Sequence, residues 1–358
     1  MILVITSIII LLLVNLLIIF SLKRMNQKSK KETDYVNISV IIAARNEAEN
    51  IPDLIKSLKD LDYPEKLFEI IIVDDNSNDG TLDLLYNYSN SVNNLSVFSL
   101  EKDLASGKRN ALSLGISKSK YKNIMITDAD CRPEKDWLKS CSEVFSDGFN
   151  FLFGVAPFFQ HKNLVNKISC FENLRNSILS FSMELIGLPY SAAARNFGFN
   201  KTVFESIGGY SGTSDTLSGD DDLLLREAVK KNEKIGVVTN INSYVYSESK
   251  RNIGEYFRQK ARHTQTSFHY LTKHKLLLGF WHLLNLFFLF SPILMIINSL
   301  FGILFPLKLL IDLVVVKSAQ KKFGYKFTVF DSLYLQIIYE LFLIVHFFNA
   351  RFSEVKWK

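Results

Sequence analysis

The chain is 358 residues long, 48% apolar, and carries a formal charge of +6, which gives room for one large domain or two smaller ones. The apolar residues are gathered into blocks, which excludes a uniformly soluble protein. The positive charge collects beside those blocks, where anionic headgroups account for it without a nucleic-acid partner. The three cysteines, Cys131, Cys141 and Cys170, lack metal-ligand spacing and are expected to be reduced thiols.

Residues 1–20 are aliphatic apart from Thr6, Ser7 and Asn15, and about 20 apolar helical residues span a bilayer core. Lys23, Arg24, Lys28, Lys30 and Lys31 follow at once, so the positive-inside rule assigns what comes next to the cytoplasm. A cleaved signal peptide carries its charge before the apolar run and a small-residue cleavage site after it. Here the order is reversed, and residues 1–22 read as a membrane anchor.

From 35 to 275, short β-branched runs alternate with amphipathic stretches, the pattern of an α/β domain with a mainly parallel sheet. Residues 38–44 read as the first strand, after which Arg45-Asn46-Glu47 opens a helix through Ile51, Leu54, Ile55 and Leu58 at helical spacing. A second strand, Ile70 to Val73, ends in the turn-rich run from Asp74 to Gly80, which caps the next helix. Asn123 to Thr127 reads as a buried strand tipped by Asp128-Ala129-Asp130. Side chains at i and i+2 of an extended segment point the same way. Two such carboxylates suit a hard cation, Mg2+ or Mn2+, that bridges to nucleotide phosphates. Ligands of open α/β sheets bind beyond the carboxyl ends of the strands, so Asp74, Asp75, Asp128 and Asp130 are expected around one crevice.

Further on, Gly219-Asp220-Asp221-Asp222 precedes a helix through Leu223-Leu224-Leu225 and Ala228-Val229. Three adjacent carboxylates raise one another's pKa values, which suits a group poised to take a proton. The helix macrodipole also favours acids at a helix start and accounts for one or two of the three. A second apolar block, from about Leu276 to Val316, contains Pro292, Gly302 and Pro306 and is long enough for two crossings joined by a tight turn. A third, Val329 to Phe348, carries Asp331, Gln336, Glu340 and His346 and is either a third crossing or an interfacial helix. The basic tract from Lys317 to Lys326 favours a cytoplasmic return. Residues 276–350 are therefore read as a C-terminal membrane region of two to three helices.

Several ordered motifs between 37 and 263 resemble the family 2 inverting glycosyltransferases, whose nucleotide-sugar domain is called GT-A. Residues 38–47 resemble that family's opening strand and donor loop, which implies donor contacts from Ala43, Arg45 and Glu47. Residues 71–81 resemble its base-binding turn, with Asp74 and Asp75 on the base or ribose. Gly107-Lys108-Arg109-Asn110-Ala111-Leu112 is similar to the segment that supplies a lysine, here Lys108, near the diphosphate. Asp128-Ala129-Asp130 matches the metal triplet, which implies Asp130 as the more direct ligand and Asp128 nearer the ribose. Asn196 to Phe199 and Ile207 to Tyr210 resemble the acceptor-side stretch before the catalytic base. The family usually has Glu-Asp at that base. Counting back from the turn at Lys231-Asn232 makes Asp221 the base, whereas matching Leu225-Arg226 makes it Asp220. The first register is preferred, and Asp222 completes the candidate set. Gln259-Lys260-Ala261-Arg262-His263 resembles a Gln-x-x-Arg-Trp motif that lies beside the donor diphosphate, with Gln259 and Arg262 as its contacts. His263 departs from the tryptophan that forms an acceptor-sugar platform in chain-elongating members, so repeated elongation is not expected.

The resemblance implies a membrane-embedded, metal-dependent inverting glycosyltransferase facing the cytoplasm. It would move one sugar from a nucleotide-sugar, expected to be a UDP-sugar, to a lipid or lipid-linked acceptor, in a layout similar to ceramide glucosyltransferase. A small processive polysaccharide synthase is the alternative enzyme, and a non-catalytic membrane binding module is the alternative from another class.

Overall fold

The computed structural model of the protein describes residues 2–25, 34–101, 107–213, 216 and 219–352. Lys28, Lys30 and Lys31 of the expected basic flank lie outside the described residues. The strands are β1 (Ile38–Ala44), β2 (Phe68–Asp74), β3 (Leu95–Ser99), β4 (Asn123–Asp128), β5 (Cys131–Pro133), β6 (Phe151–Gly154), β7 (Phe197–Asn200), β8 (Ile235–Val238) and β9 (Val245–Ser247). The helices are α1 (Ile2–Arg24), α2 (Ile51–Lys59), α3 (Thr81–Ser89), α4 (Lys108–Lys118), α5 (Trp137–Ser146), α6 (Leu164–Leu185), α7 (Lys201–Ser206) and α8 (Asp222–Lys230). They continue with α9 (Ile253–Ser267), α10 (Thr272–Phe290), α11 (Leu304–Ala319) and α12 (Val329–Phe352).

Seven strands form one sheet in the order β3-β2-β1-β4-β7-β6-β8. β3, β2, β1 and β4 run parallel, β7 is antiparallel to both of its neighbours, and β8 is parallel to β6. The alternating β and α pattern thus yields the mainly parallel sheet expected of it. The β-branched runs of β1 and β2 are continuous rather than alternating because both faces of the sheet are covered. Ile38, Val40, Ile42, Ile70 and Ile72 pack into one core with α2 and α5, while Ile41, Ile71, Val73, Ile124 and Ile126 face the other. The second core continues through α4, α6 and α8 to Ile18 and Leu22 of α1, Val315 and Val316 of α11, and Leu335 and Tyr339 of α12. The apolar helices and the α/β domain therefore share buried surface. Gly115 lets α4 approach this face of the sheet closely, since a Cβ there would sit 2.5 Å from Ile41 Cγ2.

The helix after β1 starts at Ile51 rather than at Arg45, because Asn46 adopts φ 55° and Pro52 stands in the first helical turn. A left-handed residue interrupts a helix, and proline is tolerated only at its start. Four helical segments among the described residues are long and apolar enough to cross a membrane, namely Ile2–Arg24, Thr272–Ile296, Ser299–Phe323 and Val329–Phe352. The polar residues of the last are turned into protein. Gln336, Glu340 and His346 are each 2% exposed, and Glu340 meets Lys308 of α11 at 3.2 Å.

Candidate active site

Register brings the candidate residues to one edge of the sheet. Ala43 is paired with Asp128 across β1 and β4, and Ala44 with Asp74 across β1 and β2, so these strand ends form one row. The Asp74 Oδ2 atom accepts a hydrogen bond from the Ser77 amide at 3.2 Å, while its Oδ1 atom is buried without a hydrogen-bond partner. Asp75 accepts from the Gly107 amide at 3.1 Å and lies 3.6 Å from the Arg45 guanidinium. The Glu47 carboxylate accepts from the Asn50 side chain at 2.6 Å, and its amide donates to Thr81 Oγ1. Asp79 accepts from the Ala48 and Thr81 amides and is a turn-capping residue.

Beside this row opens a cavity of about 440 Å³ lined by Lys108, Asp128, Asp130, Asp220, Asp221, Asp222, Gln259 and Arg262. Ala43, Arg45, Glu47, Asp74 and Asp75 are not among its lining residues and sit instead along the ends of β1 and β2. Lys108 opens α4 and donates to Asp128 Oδ1 at 2.6 Å, with Asp220 at 4.0 Å on its other side. Burial alone pushes the Asp128 carboxyl up, but Lys108, helped by Arg195 and Arg262, holds it below the usual carboxylate range. Burial also pushes Asp130 up, and the Asp128 charge adds to this.

Asp128, Asp130 and Cys131 offer ligand atoms within 4.8 Å of one another. Burial, then the Asp130 and Asp128 charges, push the Cys131 thiol up. It remains a protonated thiol donating to Asp130 Oδ1 at 3.6 Å. Asp128 and Asp130 supply two carboxylates, a hard donor pair that fits Mg2+ or Mn2+.

The three acids at the start of α8 occupy different environments. Asp220 is the ion-paired member, 2.7 Å from Arg109 Nε. Asp222 accepts from the Ala192 amide at 3.0 Å and from the Tyr270 hydroxyl at 2.5 Å. Asp221 caps α8, accepting from the Asp222 amide at 2.8 Å and the Ala194 amide at 2.6 Å. Burial, then the neighbouring Asp222 and Asp220 charges, push Asp221 up to about 7. An acid in that range is matched to proton abstraction near neutrality. Gly219 has φ 86°, and a Cβ there would meet Thr266 of α9 at 2.3 Å, so the acid run approaches α9 as closely as glycine permits.

Gln259 and Arg262 share one face of α9, and His263 lines the same cavity with its imidazole exposed to it. Lys260 lines the same cavity and pairs there with Glu172 of α6 at 3.2 Å. Glu172 also accepts from the Tyr256 hydroxyl and lies 3.6 Å from His346 of α12. Burial opposes its charge, but Lys260 and then His346 hold it down at about 2. Glu172, Tyr270, Arg195 and Arg109 join the site through contacts that sequence motifs do not reveal. Arg109 stands beside Lys108, but nothing local marks Glu172, Tyr270 or Arg195.

A family model described as glycosyl transferase family 2 matches residues 39–208. Those residues are a glycosyl transferase family 2 domain. The matched span contains the strand-end row, Lys108 and the Asp128-Ala129-Asp130 triplet, and ends before the acid run. The chain is 32% identical over 122 residues to glycosyltransferase AglE of Haloferax volcanii, a match covering 34% of this chain and 40% of that protein. It is 38% identical over 93 residues to a poly-beta-1,6-N-acetyl-D-glucosamine synthase of Staphylococcus epidermidis, covering 26% and 21%. It is also 33% identical over 101 residues to the beta-monoglucosyldiacylglycerol synthase of Nostoc sp., covering 28% and 22%. The chain thus spans two fifths or less of these curated relatives. Over 98% of both chains, its fold is similar to that of a mannosyltransferase from Pyrobaculum calidifontis in complex with GDP-Man and Mn2+, with a TM-score of 0.59 at 16% identity. The GT-A domain with flanking apolar helices expected from the motifs is the fold observed.

Proposed function

We propose that the protein is a membrane-bound, metal-dependent inverting glycosyltransferase that moves a single sugar from a nucleotide-sugar, most simply a UDP-sugar, to a lipid or lipid-linked acceptor on the cytoplasmic side. The observation that carries this reading is the shared cavity of Asp128, Asp130 and Asp221 at the carboxyl edge of a family 2 domain. The Nostoc protein's printed name supports a glycolipid product, and the mannosyltransferase solved with GDP-Man and Mn2+ supports a nucleotide-sugar donor with a divalent cation.

On the donor side, Asp74, with a buried oxygen lacking a partner, and Asp75 bind the base or ribose. Ala43, Arg45 and Glu47 flank them. Lys108, Gln259 and Arg262 bind the diphosphate, for which guanidinium and ammonium groups are suited. Asp130, with Asp128 beside it, would hold Mg2+ or Mn2+, which when bound neutralises charge on the leaving diphosphate. On the acceptor side, Asp221 takes the hydroxyl proton, Asp222 and Tyr270 fix the start of α8, and Asp220 is held by Arg109. His263 stands where a wider aromatic platform is needed for chain growth, which favours one transfer.

The test is nucleotide release from a panel of UDP-, GDP- and dTDP-sugars by the full chain in lipid, with Asp130→Asn as the comparison. The reading expects turnover from one donor class and its loss in the variant. Equal turnover by Asp130→Asn would remove that residue from the donor site.

A further inference from the structure

The cavity is chemically uneven along its length. Five Lys or Arg residues are among its described lining residues, namely Lys108, Arg195, Lys250, Lys260 and Arg262. Lys108, Arg195 and Arg262 act on Asp128, and Arg195 and Lys250 act on Asp130, so four of the five gather at the aspartate pair. The fifth, Lys260, is neutralised by Glu172 at 3.2 Å.

The other end is walled by α6, α10 and α12. Asn176, Ser177 and Ser180 come from one side of α6, His282 from α10, and Tyr339 and His346 from α12. Tyr339 donates to Asn176 Oδ1 at 3.4 Å. His346 is 2% exposed and its Nε2 lies 3.1 Å from the Tyr256 hydroxyl, while its Nδ1 is buried without a hydrogen-bond partner. Two cations lie behind this wall but are compensated there. Arg175 is 3.5 Å from Asp312, and Lys308 pairs with Asp312 and, at 3.2 Å, with Glu340. Among the described residues, this end therefore offers hydroxyl, amide and imidazole groups and a Glu172 carboxylate already paired with Lys260 and His346, with no uncompensated Lys or Arg.

We propose that this end receives the headgroup of the acceptor, and that the headgroup is an uncharged alcohol of the glycerol or sugar type on an apolar tail rather than a phosphate. The proposal rests on the glycosyltransferase reading above. A phosphomonoester brings about 1.5 to 2 negative charges, and burying them where the one lining cation, Lys260, is already committed to Glu172 is unfavourable. A hydroxylated headgroup instead finds amide, hydroxyl and imidazole partners among the lining residues. Leu278 and Leu343 line the same end and lead to the apolar faces of α10 and α12. In the transfer, the acceptor oxygen bonds to the anomeric carbon as that carbon's bond to the diphosphate oxygen breaks. The hydroxyl proton goes to Asp221, and the nucleoside diphosphate leaves with the bonding electron pair.

The full chain in phosphatidylcholine vesicles, given the radiolabelled donor it cleaves, tests this against four acceptors: dioleoylglycerol, its monoglucosyl derivative, dioleoyl phosphatidate and a polyprenyl phosphate. Label should enter one of the two neutral lipids roughly tenfold or more faster than either phosphate-bearing one, the weight of one poorly compensated charged contact. Faster labelling of phosphatidate or polyprenyl phosphate overturns the proposal, as does donor cleavage with label on none of the four. No nucleotide release in any arm overturns the transferase reading itself, and this inference with it. Asn176→Ala should raise the KM for the neutral acceptor several-fold and leave the donor KM within about twofold, the effect of one lost hydrogen bond. The opposite split removes Asn176 from the headgroup site.

Discussion

Replacing Asp221 by asparagine separates the roles of the three acids. The amide retains one acceptor oxygen for the Asp222 N–H but presents an NH2 group where a carboxylate oxygen accepts from the Ala194 amide. The structural cost is that of a damaged helix cap, about 1 kcal/mol, small beside the stability of a folded domain. The chemical cost is larger. A positioned general base contributes about 10²- to 10⁴-fold, and at about 1.4 kcal/mol per tenfold this adds roughly 3 to 5 kcal/mol to the barrier. The asparagine variant should therefore bind the nucleotide donor with unchanged affinity, by calorimetry in detergent, while kcat for transfer falls at least about a hundredfold. Asp220→Asn belongs in the same series. The Arg109 pair commits Asp220 to an ion-pair role, so its loss should be felt in stability and donor affinity more than in proton transfer. A larger kcat loss in Asp220→Asn than in Asp221→Asn, with both proteins folded, would refute the assignment and adopt the other register.

The pH profile carries the same expectation. Asp221 is pushed up to about 7, and a base works only when deprotonated. The kcat should therefore fall about tenfold per unit below that value and level off above it. A flat profile between about pH 5 and 8 would contradict the assignment. Arg109→Gln leaves Asp220 nine-tenths buried without its main partner and should cost about 3 kcal/mol in denaturant unfolding; an unchanged midpoint would show that the pair is dispensable. Gly115→Ala forces a Cβ to 2.5 Å from Ile41 Cγ2 and should lower stability by about 1 to 3 kcal/mol, read by thermal unfolding, with donor affinity retained. Lys308→Met strands Asp312 and Glu340 beside Arg175. It should destabilise the helical bundle by about 3 kcal/mol or more, read by unfolding in detergent micelles.

The parts of the fold legible in the sequence are those set by local periodicity. The continuous apolar runs of β1, β2 and β4 reveal strands buried on both faces, and Ile51, Leu54, Ile55 and Leu58 are the buried side of α2. The strand-end acids were legible because one rule, ligands beyond the carboxyl ends of parallel strands, applies to all of them. The second half of the site is built by contacts distant in sequence. Tyr270 reaches Asp222 across 48 residues and Arg109 reaches Asp220 across 111, and neither has a periodic or motif signal. The acids in the third apolar block were ambiguous because composition does not say which way a side chain faces. Only packing of α12 on α6 and α11 turns Glu340 and His346 inward. Likewise the antiparallel insertion of β7 between β4 and β6 depends on pairing, not on anything local to Phe197–Asn200.

The most direct test of the central claim is mass spectrometry of lipids recovered after the full chain is incubated with its nucleotide-sugar in native lipid extract, with Mn2+ or Mg2+ and with EDTA. The account predicts lipids heavier by one sugar residue, formed with release of the nucleoside diphosphate and abolished by EDTA. A ladder of repeated additions would contradict the single-transfer reading, and an unchanged lipid profile with no nucleotide released by any donor would contradict the enzyme itself.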